Sequence, residues 1–244
     1  MINLKFINNA DYKFEKVKSI NCLNTMISTP CLFLLDKALL IVMAKWHAYG
    51  RCKNRLSKDI GKISSAKVQK KMTGHTISVA KFLESKGLID ISLAISGLGL
   101  KNSKRWSNEL GIKNFNLQGR GCLGEKMRRQ ILIDKKNSLN KTKNIIFIGT
   151  DLPDFCHMDL LNTLSKLKKN DLILGPSNDG GYWLIAFSER LLSSDLYLPF
   201  INIKWGKEDV LEQTIKNFSS MDLKHDFLHR KIDIDTMIDI EKRE

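Results

Sequence analysis

A chain of 244 residues, 43% of them hydrophobic and only 4 of them proline, has room for one large α/β domain or two small ones and is not low-complexity. Its 40 Lys+Arg against 26 Asp+Glu give a formal charge of +14, but the excess is spread out and no dense basic run interleaves with aromatics, which argues against nucleic acid as the partner. Five scattered cysteines (Cys22, Cys31, Cys52, Cys122, Cys156) exclude a disulfide framework and a paired-cysteine metal site, and without a signal-peptide core or a transmembrane-length apolar run the expected location is the cytoplasm.

Residues 1–36 have no clean period and read as an extension without an assigned function. Residues 37–45, KALLIVMAK, form the first apolar strand. The following loop, WHAYGRCKNRL, carries Gly50 with Arg51, Lys53 and Arg55 alternating after it. Glycine lets backbone approach a ligand and guanidinium forks match phosphate oxygens, so the loop suits a phosphate cradle as well as a solvated turn. Apolar Val68, Met72, Val79 and Leu83 at helical spacing predict a helix over residues 64–86, with Ser64 and Ser65 as caps. A strand over 88–95, a short helix over 104–110 ended by Gly111, and a strand over 115–118 follow. The glycine-led segment GRGCLGEKMRRQILI then starts a helix whose first N–H groups are free to face an anion.

The run Ile145-Ile146-Phe147-Ile148 is short, apolar and β-branched, as expected of a strand buried on both faces. It stops at Gly149-Thr150-Asp151, so a carboxylate stands at the carboxyl end of a buried strand, where open α/β sheets place their ligands. As an alternative, Asp151 caps the helix expected over 158–168. A strand over 171–177 leads into NDGGYWLIAF, a sharp loop feeding another strand; alone, it is also an ordinary hairpin turn. A helix over 208–218, an alternating strand KIDIDT over 231–236 and a final short helix complete the chain. Strands alternating with helices predict one α/β domain over residues 37–244 with a mostly parallel central sheet. Asp151 and Asp235 at strand ends suit Mg²⁺ or Mn²⁺, which prefer oxygen ligands and bridge substrate phosphates. No Ser-His-Asp or Cys-His set is visible for nucleophilic catalysis.

GRCKNRL, GTDLP, GPSNDGGYWLI and DIDT stand in this order, and together they resemble the bacterial glycosyltransferase-A-like family of radical-SAM/selenodomain-associated transferases. The resemblance runs from about residue 37 to the C-terminus and implies the nucleotide-diphosphosugar transferase fold, a Rossmann-like α/β/α sandwich. It implies nucleotide-phosphate binding by Gly50, Arg51, Lys53 and Arg55, and Mg²⁺ or Mn²⁺ held by Asp151 and Asp235. Asp179 becomes the catalytic carboxylate, and Gly180, Gly181 and Tyr182 the loop facing the acceptor or sugar. The implied partners are a nucleotide-sugar donor and a small-molecule or glycan acceptor. Trp46–Tyr49 lacks the prolines usual before the basic loop, and Gly206-Lys207 replaces a usual Ser-Thr pair. Three functions stay open: a metal-dependent glycosyltransferase, a nucleotidyltransferase joining an NTP to a phosphorylated small molecule, and a non-catalytic nucleotide or nucleic-acid binder on the same fold.

Overall fold

Strands β1 (Ala38–Lys45), β2 (Ile89–Ser96), β3 (Asn114–Leu117), β4 (Ile145–Ile148), β5 (Leu172–Pro176), β6 (Tyr182–Phe187) and β7 (His225–Phe227) build one sheet in a computed structural model that describes residues 37–137, 144–193, 200, 202–221 and 223–241. The sheet order is β3-β2-β1-β4-β6-β5-β7. Every neighbouring pair is parallel except the two made by β6, which runs against β4 and β5. The chain therefore has the expected α/β architecture with a mostly parallel sheet. Residues 1–36, expected to be an extension, lie outside the described residues.

The strands form where apolar β-branched runs are buried on both faces. All four residues of β4 are buried, as are most of β1 and β2. Helices α1 (Leu56–Ser85), α2 (Leu100–Glu109), α3 (Leu123–Asn137), α4 (His157–Leu167), α5 (Glu189–Leu192), α6 (Val210–Ser219) and α7 (Met237–Glu241) connect or follow them. One core cluster joins Leu39, Ile41, Phe147, Ile185, Phe187 and Phe218, and each of these large side chains gains about 2 kcal/mol from leaving water. No helix among the described residues is long and apolar enough to cross a membrane.

Three local expectations are corrected. Helix α1 begins at Leu56, so Ser64 and Ser65 lie inside it and cap nothing. Its ladder breaks at Gly61 (φ 81°), and the clean apolar period starts only beyond that break. Helix α2 starts at Leu100 behind Gly99, which has no side chain to announce a cap. KIDIDT is not a ladder strand, because its backbone divides between two partners. Lys231 N donates to Pro176 O at 3.0 Å and Ile234 N to Asp151 O at 3.0 Å. The seventh strand is instead His225–Phe227, paired with β5.

Candidate functional site

The chain leaves β1 toward β2 and leaves β4 toward β5, on opposite sides in the sheet order, so a crevice opens at the carboxyl ends of the adjacent strands β1 and β4. The loop after β1 and the Gly149-Thr150-Asp151 turn after β4 meet there. Asp151 does not cap the next helix: Cys156 opens α4, and its N–H donates to Asp159 Oδ2 at 2.8 Å. The Asp151 turn is fixed from two sides. Buried Gln69 on α1 donates through Nε2 to Thr150 Oγ1 at 3.0 Å, and Ile234 N holds the Asp151 carbonyl.

The three cations of the β1 loop separate. Arg51 is exposed on the turn that Gly50 makes at φ 69°. Arg55 lies on the crevice with its side chain 72% exposed, 3.5 Å from Asp235 Oδ2. Lys53 turns inward, its side chain only 2% exposed. Its Nζ lies 2.6 Å from Asp151 Oδ1 and 3.2 Å from Asp235 Oδ1, and donates to Ile234 O at 2.5 Å. Burial alone would weaken this ammonium, but Asp151 and then Asp235 outweigh burial and raise its pKa.

The loop between β5 and β6 supplies the opposite wall. Asp179 Oδ1 accepts from Ser177 Oγ and from Gly181 N at 3.0 Å, closing a tight turn. Gly180 (φ 82°) lies against the segment leading into α6, with Leu211 N donating to its carbonyl at 2.9 Å. Tyr182 follows, its ring edge-on to Trp205 with centroids 6.3 Å apart. Burial pushes the Tyr182 phenol's pKa up, so the group stays protonated.

Between these walls lies a cavity of about 820 Å³ whose polar lining includes Arg55, Asp151, Asp179 and Asp233. Gly180, Gly181 and Tyr182 also face it, with Trp205 on the apolar side. Gly50, Arg51 and Lys53 are not on its lining, and Asp235 stands behind Asp233 against Lys53 and Arg55. Asp233 is a cavity-lining carboxylate that sequence reasoning passed over as a candidate. Burial, then the charges of Asp179, Asp235 and Asp151, push its carboxyl up to about 6. The only sequence signal for it is the Asp-x-Asp spacing of DIDT. Trp205 and the Gln69–Thr150 contact gave no signal. Just before the glycine-led helix α3, the Cys122 N–H donates to Glu125 Oε2 at 2.7 Å.

A divalent cation suits this donor set. Carboxylates crowded enough to disfavour ionising one of them supply hard oxygen ligands and an excess of negative charge. Among the described residues no three His, Cys, Asp or Glu groups close into a ready cage. One or two carboxylates completed by substrate phosphates is the arrangement Mg²⁺ favours.

The fold is shared with solved structures. A protein of Desulfovibrio desulfuricans G20 assigned to the nucleotide-diphospho-sugar transferases is 22% identical with a TM-score of 0.71, over 85% of each chain. The 4-diphosphocytidyl-2C-methyl-D-erythritol synthase of Anaerococcus prevotii DSM 20548 is 15% identical with a TM-score of 0.51, over 85% of this chain and 96% of that one. Glucosyl-3-phosphoglycerate synthase of Mycobacterium tuberculosis, solved with Mn²⁺, UDP and glucosyl-3-phosphoglycerate, is 11% identical with a TM-score of 0.51, over 82% of this chain and 71% of that one. No curated protein sequence matches the chain. The likeness establishes the nucleotide-diphosphosugar transferase fold, the one the resemblance implied. Residues 79–207, just over half of the chain, match the model of DUF2064, a family of uncharacterized proteins conserved in bacteria, and the chain belongs to that family.

Proposed function

We propose that residues 37–244 form a single metal-dependent transferase domain that moves a sugar from a nucleotide-diphosphate donor to an acceptor. The observation that carries this reading is the cavity at the β1/β4 crevice, where Arg55, Asp151, Asp179 and Asp233 converge from four separate segments. Asp151 on the cavity lining, and Asp235 close to both Asp151 and Asp233, are the carboxylates that would hold Mg²⁺ or Mn²⁺. The ion, when bound, neutralises the diphosphate and makes it a better leaving group. Arg55 gives the diphosphate a guanidinium partner, on a loop that Gly50 turns and that carries Arg51 outside the cavity lining.

Asp179 is held through one oxygen by Ser177 and Gly181, and its other oxygen has no hydrogen bond to the described residues. That oxygen takes the proton of an acceptor hydroxyl as the hydroxyl oxygen bonds to the anomeric carbon. The bond from that carbon to the diphosphate breaks, and the nucleoside diphosphate leaves with the electron pair. Gly180, Gly181 and Tyr182 shape the acceptor side.

The rival reading is nucleotidyl transfer from an NTP with release of pyrophosphate, which the same fold, cation and basic loop serve. The single glycine of the β1 loop favours sugar transfer, since nucleotidyltransferases usually carry a richer glycine loop there. A thermal-shift screen of nucleoside diphosphates, nucleotide-sugars and NTPs, each with Mn²⁺, Mg²⁺ or EDTA, tests the proposal. Stabilisation by one nucleotide-sugar that needs metal and is lost in Asp151→Asn is expected. Preference for a triphosphate moves the assignment to nucleotidyl transfer, and no response to any nucleotide overturns both.

A further inference from the structure

We infer that Lys53 is a positioning residue that clamps Asp151 and Asp235 together, and not a ligand of the substrate's phosphates. The inference rests on the proposed reading only in taking these carboxylates as functional groups. Position in the sequence suggests the opposite, since Lys53 alternates with Arg51 and Arg55 in a basic loop. The side chain nevertheless points away from the solvent that its neighbours face.

Three observations carry the clamp. Lys53 Nζ donates to Asp235 Oδ1 at 3.2 Å and to the Ile234 carbonyl at 2.5 Å, and forms an ion pair with Asp151 Oδ1 at 2.6 Å. Three oxygens within 3.2 Å therefore surround the ammonium on the protein side and hold it away from a phosphate in the cavity. The side chain is 2% exposed and does not reach the cavity lining, whereas Arg55 from the same loop does. Lys53 is also one of two non-glycine residues among those described with positive φ, at 48°. A left-handed backbone at a lysine persists only where the surroundings over-determine it, and here the buried ion contacts do so.

The consequence is geometric. Asp151 lies in the turn after β4 and Asp235 in the C-terminal segment, far apart in sequence, and two carboxylates brought together repel. A buried cation between them fixes their separation before any ligand arrives. With Ile234 N on the Asp151 carbonyl and Lys53 on the Ile234 carbonyl, the C-terminal segment is stapled to the strand end through both backbone and side chain.

The test uses the full chain and separates the two roles. Mn²⁺ binding without nucleotide is followed by electron paramagnetic resonance, and inorganic pyrophosphate binding in EDTA by calorimetry, in wild type, Lys53→Met and Arg55→Met. The clamp predicts that Lys53→Met changes Mn²⁺ affinity by about tenfold or more and leaves metal-free pyrophosphate binding intact. Arg55→Met does the reverse. Loss of metal-free pyrophosphate binding in Lys53→Met, with Mn²⁺ affinity unchanged, overturns the inference.

A stability cycle decides the matter even if the wild type binds no nucleotide and the transferase reading fails. Lys53→Met leaves two carboxylates without their cation and lowers Tm by about 10 °C. Adding Asp151→Asn and Asp235→Asn removes the repulsion and restores a large part of that loss. If Lys53→Met does not fold but the triple variant does, the clamp stands. A Lys53→Met variant as stable as wild type, or a triple variant no more stable than Lys53→Met, refutes it.

Discussion

Gly180→Ala is the sharpest probe of how the site is assembled. The glycine adopts φ 82°, where a Cβ costs about 1–2 kcal/mol. A Cβ built there would lie 2.7 Å from the Glu208 Cα and closer still to its carbonyl group, which is backbone and cannot rotate aside. Relief requires the β5–β6 loop to part from the segment leading into α6, at the expense of the Leu211 N to Gly180 O hydrogen bond. Overpacking of this kind costs about 1–3 kcal/mol and the hydrogen bond about 1 kcal/mol. The expected loss is therefore about 3–6 kcal/mol, or about 6–24 °C in Tm for a domain of this size. Urea denaturation measures it, with Gly74→Ala as the control. Gly74 is helical in α1 with nothing near its would-be Cβ, so alanine there stabilises by about 0.5–1 kcal/mol. A Gly180→Ala loss below about 1 kcal/mol would refute the docking of this loop on the α6 entrance.

Two further outcomes follow from the same geometry. Gln69→Ala leaves the buried Thr150 hydroxyl without its donor and costs about 1–3 kcal/mol, and because Thr150 precedes Asp151 it also shrinks the metal-dependent thermal shift; an unchanged shift would uncouple α1 from the site. Iodoacetamide labelling of the folded chain, read by peptide mass spectrometry, modifies exposed Cys122 well before Cys52, whose thiol is buried, bonded to Ala48 O at 3.3 Å and pushed up by burial; equal labelling of the two would contradict the packing of the β1 loop.

The fold was largely legible because its signals are local. β4 announces itself as four apolar residues bounded by polar ones, and the structure buries all four. The Asp-Gly-Gly loop announces a turn, and β5 and β6 do form an antiparallel hairpin around it. Element ends were less legible where no side chain marks them, as at Gly99 before α2. KIDIDT misled because alternation predicts an extended chain but not its partner. Over residues 231–235, Lys231 N goes to Pro176 on β5 and Ile234 N to Asp151 in the turn beyond β4, so no ladder forms.

The site divides along the same line. Asp151 was legible because its position follows from the strand that ends beside it. The distribution of the three cations was not, since alternation in a loop fixes no direction for a side chain. Gly50 and the positive φ of Lys53 twist the loop so that successive basic residues face solvent, interior and cavity. The spacing of Asp233 and Asp235 carried more information than its misread strand. An extended segment puts alternate residues on one side, and the structure brings both close to Asp151. They still differ in role. Asp235 is ion-paired with Lys53 and Arg55, while Asp233 faces the cavity with the like charges of Asp179, Asp235 and Asp151 acting on it. A carboxyl so placed is stabilised by whatever cation enters the cavity, and that dependence on a ligand is what separates it from a structural ion pair.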